Sequence, residues 1–260
     1  MKSPIAFSDG LAVWTLYVRE VRRFTKVYTQ TIMAPVITTL LFLAVFTLAL
    51  GRSVEHVAGV PFASFLAPGL VMMAMTQNAF TNTSTSLLIS KIQGNIVDTL
   101  MPPLTAHDLT LGFALGGATR GVAVGFFVAL ATAFFVPMSI HNPFFVLFHA
   151  LGGSLMLSLL GMLAGIWSEK FDHVAAVTNF IVTPLAFLSG TFYSIERLPA
   201  FAQVIAHFNP FFYAIDGFRY GFTGHADSNL WAGVIVVGGI NAFLWWTCHR
   251  LFAMGYKLKS

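Results

Sequence analysis

Charged residues are scarce in this sequence. Asp, Glu, Lys and Arg make up 9% of its 260 residues, whereas an average soluble domain has about 25%. So few charges cannot cover the surface of a soluble domain, which excludes a soluble enzyme, a disordered chain and a nucleic-acid-binding module. The hydrophobic share of 57% and the mean hydropathy of +0.77 indicate a membrane protein that crosses the bilayer several times.

Motifs for chemistry are also missing. The sequence has no G-x-x-x-x-G-K-[ST] pattern for a nucleotide phosphate, no H-E-x-x-H pattern for zinc and no G-x-S-x-G pattern around Ser154. A single cysteine, Cys248, excludes an internal disulfide, and no two histidines stand four residues apart to share a metal ion. No run of intramembrane Asp or Glu is present to relay protons. These absences weigh against two alternatives, an intramembrane enzyme and an ion-driven carrier, without removing them.

Long uncharged runs mark the candidate membrane spans. A helix needs about 20 apolar residues to cross the hydrocarbon core. Six segments are candidates: 32–50, 65–88, 109–136, 144–167, 174–191 and 230–252. The later part of the second segment is rich in Thr, Ser and Asn, so we expect it to face protein or water rather than lipid. The sequence therefore predicts an all-α membrane protein with a transmembrane domain over residues 31–255.

The distribution of Lys and Arg predicts the orientation. With six spans, both termini and the second and fourth loops lie on one side of the membrane, and these segments carry ten Lys and Arg residues against three in the opposite loops. Positive charge is retained on the cytoplasmic side. We therefore expect both termini in the cytoplasm of a bacterial cell, with the chain in the inner membrane.

Residues 1–30 predict an amphipathic helix that lies at the membrane interface. Apolar residues recur there at helical spacing: Phe7, Leu11, Trp14, Val18, Val21 and Tyr28. Arg19, Arg22 and Arg23 fall largely off this face. A basic helix with an apolar face that contains Trp is typical of an interfacial anchor attracted to anionic lipid. A docking surface for a cytoplasmic partner is the second interpretation, and the two are compatible.

Residues 194–224 form an unusual segment before the last span. Its apolar, aromatic core is too short and too rich in proline for a regular span. Four charged residues bracket this core: Glu196, Arg197, Asp216 and Arg219. We expect two short helices that enter the outer leaflet and return, so that the four charges pair or stay hydrated on the outer side.

Arg120 is the ionisable residue placed deep in a predicted span. If that span begins near Leu109, Arg120 lies roughly 16 Å along it, close to mid-bilayer. A charge at this depth needs a partner, a cavity or a subunit interface. One interpretation is structural, with hydrogen bonds to carbonyl groups or to polar residues such as Asn82 or Asn179. The other places Arg120 on a substrate path.

Three stretches of the sequence resemble a known family. Residues 183–199 read TPLAFLSGTFYSIERLP, residues 208–220 read FNPFFYAIDGFRY, and residues 94–105 read GNIVDTLMPPLT. Together with the six spans and the amphipathic N-terminus, they closely resemble the permeases of ABC-2 type transporters. The resemblance covers nearly the whole chain, and within the family it is strongest to small bacterial stand-alone permeases. A departure is the run Met101, Pro102, Pro103, where the family has an apolar and a small residue before one proline.

The resemblance implies one half of an ATP-driven exporter with the transmembrane fold of this family. Two copies of the chain would pair, and two separate ATPase subunits would bind from the cytoplasm. ATP and Mg would be held by those partners, so no cofactor, no metal and no nucleic acid is expected on this chain, which itself is not an enzyme. Membrane lipid is the remaining expected partner. An amphipathic substrate, such as a glycolipid, a polysaccharide or a drug, would leave between the two copies.

The resemblance also assigns roles to residues. Residues 91–108 would form the segment that couples to the ATPase, with the following positions as contacts: Lys91, Gly94, Asp98, Met101, Pro102 and Pro103. The N-terminal helix would add a second contact. The hairpin 194–224 would close the outer exit.

Overall fold

The computed structural model describes residues 10–51, 54–57, 59–100 and 104–257, which are helical apart from short connections and one small strand pair. The elements are α1 (Gly10–Thr25), a π-helical turn (Thr29–Met33) that leads into α2 (Ala34–Leu50), β1 (His56–Val57), β2 (Val60–Pro61), α3 (Phe62–Ile92), α4 (Ile96–Leu100), α5 (Ala106–Ala133), α6 (Pro143–Trp167), α7 (Phe171–Val177), a second π-helical turn (Thr178–Val182), α8 (Thr183–Phe187), a 3-10 turn (Ile195–Arg197), α9 (Ala200–His207), α10 (Pro210–Thr223) and α11 (Leu230–Met254). The strands β1 and β2 pair antiparallel. The helical composition agrees with the all-α prediction.

Four helical segments in the described chain are long and apolar enough to cross a membrane: Thr29–Leu50, Ala106–Ala133, Pro143–Trp167 and Leu230–Met254. They coincide with the predicted first, third, fourth and sixth spans. The predicted second span, 65–88, lies within α3, whose polar side chains lower its hydropathy. The predicted fifth span, 174–191, falls on α7, the π-helical turn and α8. That these two segments cross the membrane stays a prediction.

Helix α3 forms the centre of the bundle. It packs along α5 and α6 and carries the largest share of buried residues in the described chain. Small residues bring the helices together: a Cβ at Gly161 on α6 would collide with the main chain of Phe80, and one at Gly165 would lie 3.0 Å from the Ser84 carbonyl oxygen. Glycine at these positions therefore sets the distance between the two helix axes.

A capping box starts α5 three residues before the predicted span. The amide of Asp108 donates to Thr105 Oγ1 over 3.2 Å, and the amide of Thr105 donates to Asp108 Oδ2 over 2.9 Å. Two otherwise unpaired amides at the helix N-terminus are satisfied in this way. The helix accordingly begins at Ala106 rather than at the predicted residue 109.

The predicted fifth span is locally unwound. Proline has no amide hydrogen, so Pro184 cannot complete the regular ladder of α-helical hydrogen bonds. The turn before it widens to a π-helix over Thr178–Val182, and α8 then begins at Thr183. The irregularity at Pro184 therefore takes the form of a widened turn.

Two short helices, α9 and α10, occupy the predicted hairpin. Asn209 separates them: its side chain accepts a hydrogen bond from the Phe211 amide over 3.0 Å and donates to the Leu185 carbonyl over 2.6 Å. Helix α10 ends at Gly224, whose φ of 73° is readily adopted by glycine. This geometry agrees with two short helices, and the re-entrant hairpin stays a prediction.

The close contact at Gly161 is testable. We expect Gly161→Ala to lower the free energy of unfolding by about 1–3 kcal/mol, because the added methyl group overlaps the main chain of α3. Gly238→Ala is the matched control, since a Cβ there has no neighbour within 4 Å among the described residues and alanine favours the helix. Denaturant unfolding in mixed micelles measures both, and equal stability of the two variants would contradict the packing argument.

Candidate functional site

A short helix, α4, lies between α3 and α5 at the end of the bundle that is predicted to face the cytoplasm. Gly94 has a φ of 73° and allows the chain to reverse after α3. Helix α4 then buries Ile96, while the side chains of Val97 and Asp98 are exposed. The predicted coupling residues Gly94 and Asp98 therefore lie on an exposed turn. Met101, Pro102 and Pro103 lie outside the described residues.

Lys91 links the end of α3 to α6 through a hydrogen bond. Its ammonium group donates a 2.7 Å hydrogen bond to the Ile166 carbonyl in the last turn of α6. Partial burial lowers the pKa of Lys91. Nearby, Lys257 contacts Glu169 over 2.9 Å and holds the pKa of that carboxyl below its usual range. The sequence predicted Lys91 as an ATPase contact, and the structure gives its side chain a partner within the chain.

Helix α1 packs on the bundle through a face that differs from the predicted apolar one. Its buried residues are Leu16, Glu20 and Phe24. Leu16 lies against Gly112 on α5, and Glu20 lies against Gly116 one turn further. Trp14, on the predicted apolar face, is 59% exposed. Val18 and Val21 on the same predicted face are half-buried, and Phe7 lies outside the described residues.

A buried ion pair joins α1 to α3. Glu20 is 1% exposed, and its carboxylate accepts a 2.9 Å hydrogen bond from Ser86 Oγ and lies 3.4 Å from Arg23 Nη2. The same Arg23 nitrogen donates to the carbonyl oxygen and to Oδ1 of Asn82, over 2.6 and 2.9 Å. Arg23, which lies off the predicted apolar face, therefore has acceptors on α3. Arg22 is exposed, and Arg19 contacts Glu20 over 3.3 Å.

Arg120 reaches α3 at one turn from Asn82. Its Nη2 donates a 3.1 Å hydrogen bond to Asn78 Oδ1. The expected partners Asn82 and Asn179 are both wrong: Asn82 is taken by Arg23, and Asn179 is exposed in the π-helical turn between α7 and α8. We call the region around Arg23, Asn78, Asn82 and Arg120 the inner polar layer.

A groove opens beside this layer between α2 and α3. It has a volume of about 290 Å³. Apolar residues such as Phe42 and Leu70 line one part, and Gln77 and Asn78 line another. The groove therefore combines apolar contact with hydrogen-bonding groups that carry no charge.

Arg219 holds three elements together near the predicted outer end of the bundle. It is 1% exposed, and its guanidinium donates to the Phe65 carbonyl on α3 over 3.2 Å and to the Gly190 carbonyl after α8 over 2.6 Å. It also lies 3.8 Å from the ring centre of Phe65. Of the two expected environments for Arg219, paired or hydrated, the structure shows a paired one, in which main-chain oxygens replace water around the charge.

Asp216 is also buried rather than hydrated. It accepts hydrogen bonds from the amides of Asp227 and Ser228 over 2.8 and 3.0 Å and from Ser228 Oγ over 2.6 Å. These bonds fix the connection between α10 and α11. Glu196 and Arg197 are exposed as expected, and Arg197 donates to the His56 carbonyl over 3.3 Å. The four predicted gate residues thus divide into two buried and two exposed ones.

The sequence model of ABC-2 type transporters matches residues 11–223. The chain belongs to the ABC-2 type transporter family. The inner membrane transport permease YadH of Escherichia coli strain K12 is 36% identical to it over 252 residues, which cover 96% of this chain and 98% of YadH. Nodulation protein J of Rhizobium leguminosarum bv. viciae is 27% identical over 248 residues, with 93% of each chain covered. The match confirms the resemblance and an ABC-2 type transport permease with membrane-spanning helices.

Two residues that bind arginines in this ABC-2 permease were not predicted from the sequence: Glu20, which pairs with Arg23, and Asn78, which accepts from Arg120. Glu20 interrupts a basic helix three residues before Arg23, a spacing that favours an ion pair on one helix face. Asn78 belongs to the polar half of α3, but nothing in the sequence distinguishes it from its polar neighbours. Contacts between distant helices decided which asparagine meets which arginine.

The buried pair at Glu20 gives a prediction. We expect Glu20→Ala to destabilise the bundle by about 1–3 kcal/mol, because the buried Ser86 hydroxyl loses its acceptor and Arg23, whose side chain is 33% exposed, loses its ion-pair partner. Glu169→Ala removes a carboxylate from an exposed pair with Lys257 and should change the unfolding midpoint little. Thermal unfolding in detergent compares the two. Equal midpoints would show that the Glu20 pair does not hold α1 to α3.

A second prediction concerns Arg219. We expect Arg219→Ala to cost about 3 kcal/mol or more of stability and to reduce the folded yield, because several charge-assisted hydrogen bonds are lost at once. Arg197→Ala should leave the yield close to wild type, since that side chain is exposed. Size-exclusion profiles and unfolding midpoints of both variants provide the measurement. A well-folded Arg219→Ala protein of unchanged stability would contradict this structural role.

Proposed function

We propose that this ABC-2 permease is the membrane subunit of an ATP-driven exporter in the bacterial inner membrane. Two copies would form the translocation path, and two separate ATPase subunits would bind on the cytoplasmic side. The chain would cross the membrane six times, with both termini in the cytoplasm and α9–α10 as a re-entrant hairpin. The observation that carries this proposal is the exposed helix α4, held between the ends of α3 and α5.

The geometry of α4 supports a mechanical coupling role. Ile96 anchors the short helix to the bundle, while Val97, at 50% exposure, and Asp98 face outward. An apolar and an acidic side chain next to each other suit a docking groove on a partner protein. Because α4 follows directly on α3, a push on α4 would act on the helix at the centre of the bundle.

Weak packing of two segments supports a second copy as partner. In Thr29–Leu50, 11% of the most apolar window is buried, and Leu41 is 62% exposed. In the widened turn after α7, Phe180 is 81% exposed. A helix of a permease that buries so little against its own chain has a large surface for lipid or for another protomer. We place the substrate path of the dimer along these segments and α3.

The groove between α2 and α3 supports an amphipathic substrate. Phe42 and Leu70 suit an apolar body, and Gln77 suits a head group with hydrogen-bonding atoms. YadH is a transport permease and the rhizobial relative is a nodulation protein, and neither name states a cargo. A glycolipid, a polysaccharide and a drug each fit this description.

Charge reversal on α4 tests the coupling role. We expect Asp98→Arg to reduce co-purification with the ATPase subunit by about tenfold, and to reduce the permease-dependent ATP hydrolysis of that subunit by the same factor. The reason is that a positive charge would replace a negative one in the contact with the ATPase, where opposite charges are expected to face each other. Asp172→Arg makes the same charge change at an exposed residue at the start of α7 and should keep the complex.

Membrane insertion and the size-exclusion profile of both variants serve as the folding control. If Asp98→Arg and wild type recover the same amount of ATPase and hydrolyse ATP at the same rate, α4 is not the coupling element. Failure of the wild-type chain to bind any ATPase subunit would refute the proposed function as a whole.

A further inference from the structure

Helices α1 and α5 bring positive charge to the inner polar layer. Arg23 comes from α1 and Arg120 from α5, and they bond to Asn82 and Asn78, one turn apart on α3. Glu20 contacts Arg23 over 3.4 Å. This single carboxylate therefore offsets only part of the combined charge of Arg23 and Arg120.

Three buried hydrogen-bond donors in this layer have no acceptor among the described residues: Arg23 Nε, Asn82 Nδ2 and Arg120 Nε. All three are N–H groups, and they belong to side chains that already contact one another or adjacent turns of α3. A buried donor without an acceptor is unfavourable. A group with several anionic oxygens would satisfy these donors and balance the charge together.

The layer borders an amphipathic groove at Arg23. Arg23 and Glu20 line this groove, which has a volume of about 890 Å³ and lies between α1 and the end of α3. Trp14, Val18 and Ile89 supply an apolar wall of this groove. A molecule seated there can place an apolar body against this wall and an anionic head group at Arg23.

We propose that the inner polar layer binds a phosphate-type oxyanion carried by an amphipathic molecule. Arg23 and Arg120 supply the charge, and Asn82 supplies a neutral donor between them. Guanidinium groups suit this ligand because their planar donors match two oxygens of a phosphate. Binding of this kind needs no ATPase subunit, so its test is independent of the proposed function.

The experiment uses the purified full chain in a neutral detergent. The chain is incubated with phosphatidylglycerol or with phosphatidylcholine of the same acyl composition, and retained lipid is counted by native mass spectrometry. We expect preferential retention of phosphatidylglycerol. Arg120→Gln should lower that retention by about tenfold or more, since charge-assisted hydrogen bonds are lost. Retention of phosphatidylcholine should not change.

Arg250→Gln is the matched control. It removes the same charge from an exposed position of α11 that does not line the groove, and it should lower phosphatidylglycerol retention by less than about twofold. Equal losses in Arg250→Gln and Arg120→Gln would show general attraction of anionic lipid to a basic surface and would overturn the proposal. Equal retention of the two lipids by the wild type would overturn it as well.

Two further arms cover the source of the phosphate and the folding of the variant. If inorganic phosphate raises the unfolding midpoint of the wild type but not of Arg120→Gln, the site exists and accepts the free ion.

If Arg120→Gln does not give a monodisperse protein, Arg120→Lys is the second variant, because it keeps the charge but lacks the Nε donor. We expect a several-fold loss of phosphatidylglycerol retention in that variant, and unchanged retention would contradict the proposal.

Discussion

The polar side chains of α3 must find hydrogen-bond partners inside the protein, because the hydrocarbon core offers none. This constraint fixes the neighbours of α3. Thr83 Oγ1 donates to the Ser158 carbonyl on α6 over 2.6 Å, and Ser158 Oγ donates to the Ala114 carbonyl on α5 over 2.9 Å. Three helices are linked in this way, and glycines on α6 allow the distances to be this short.

The same constraint explains how charged groups are held in the bundle. Glu20 and Arg23 dock α1 onto α3, and Arg219 docks α10 onto α3 at its other end. In each case a charge is surrounded by carbonyl, amide or hydroxyl groups of another helix. Charged residues of this permease therefore form directional contacts between helices. Apolar packing alone would define the relative positions of these helices less specifically.

Helix α3 connects the two regions to which we assign function. One end leads into α4 through Gly94, and Phe65 near the other end contacts Arg219. A displacement of α4 by a partner would therefore reach the α9–α10 region through a single helix and its hydrogen bonds. The inner polar layer lies between these ends, where α1 and α5 also contact α3, so a bound anion would affect the same helix.

The sequence by itself determined the class of the protein, the family, the positions of four long apolar helices and the two short helices before the last one. These features follow from local composition and periodicity, and from motifs that are contiguous in the chain. The sequence also marked Arg120 and Arg219 as unusual. Only the tertiary structure decided their partners, since Asn78, Phe65 and Gly190 are far from them in sequence. A hydrogen bond depends on distances of tenths of an ångström between helices, and those distances arise from packing of the whole bundle rather than from any local pattern.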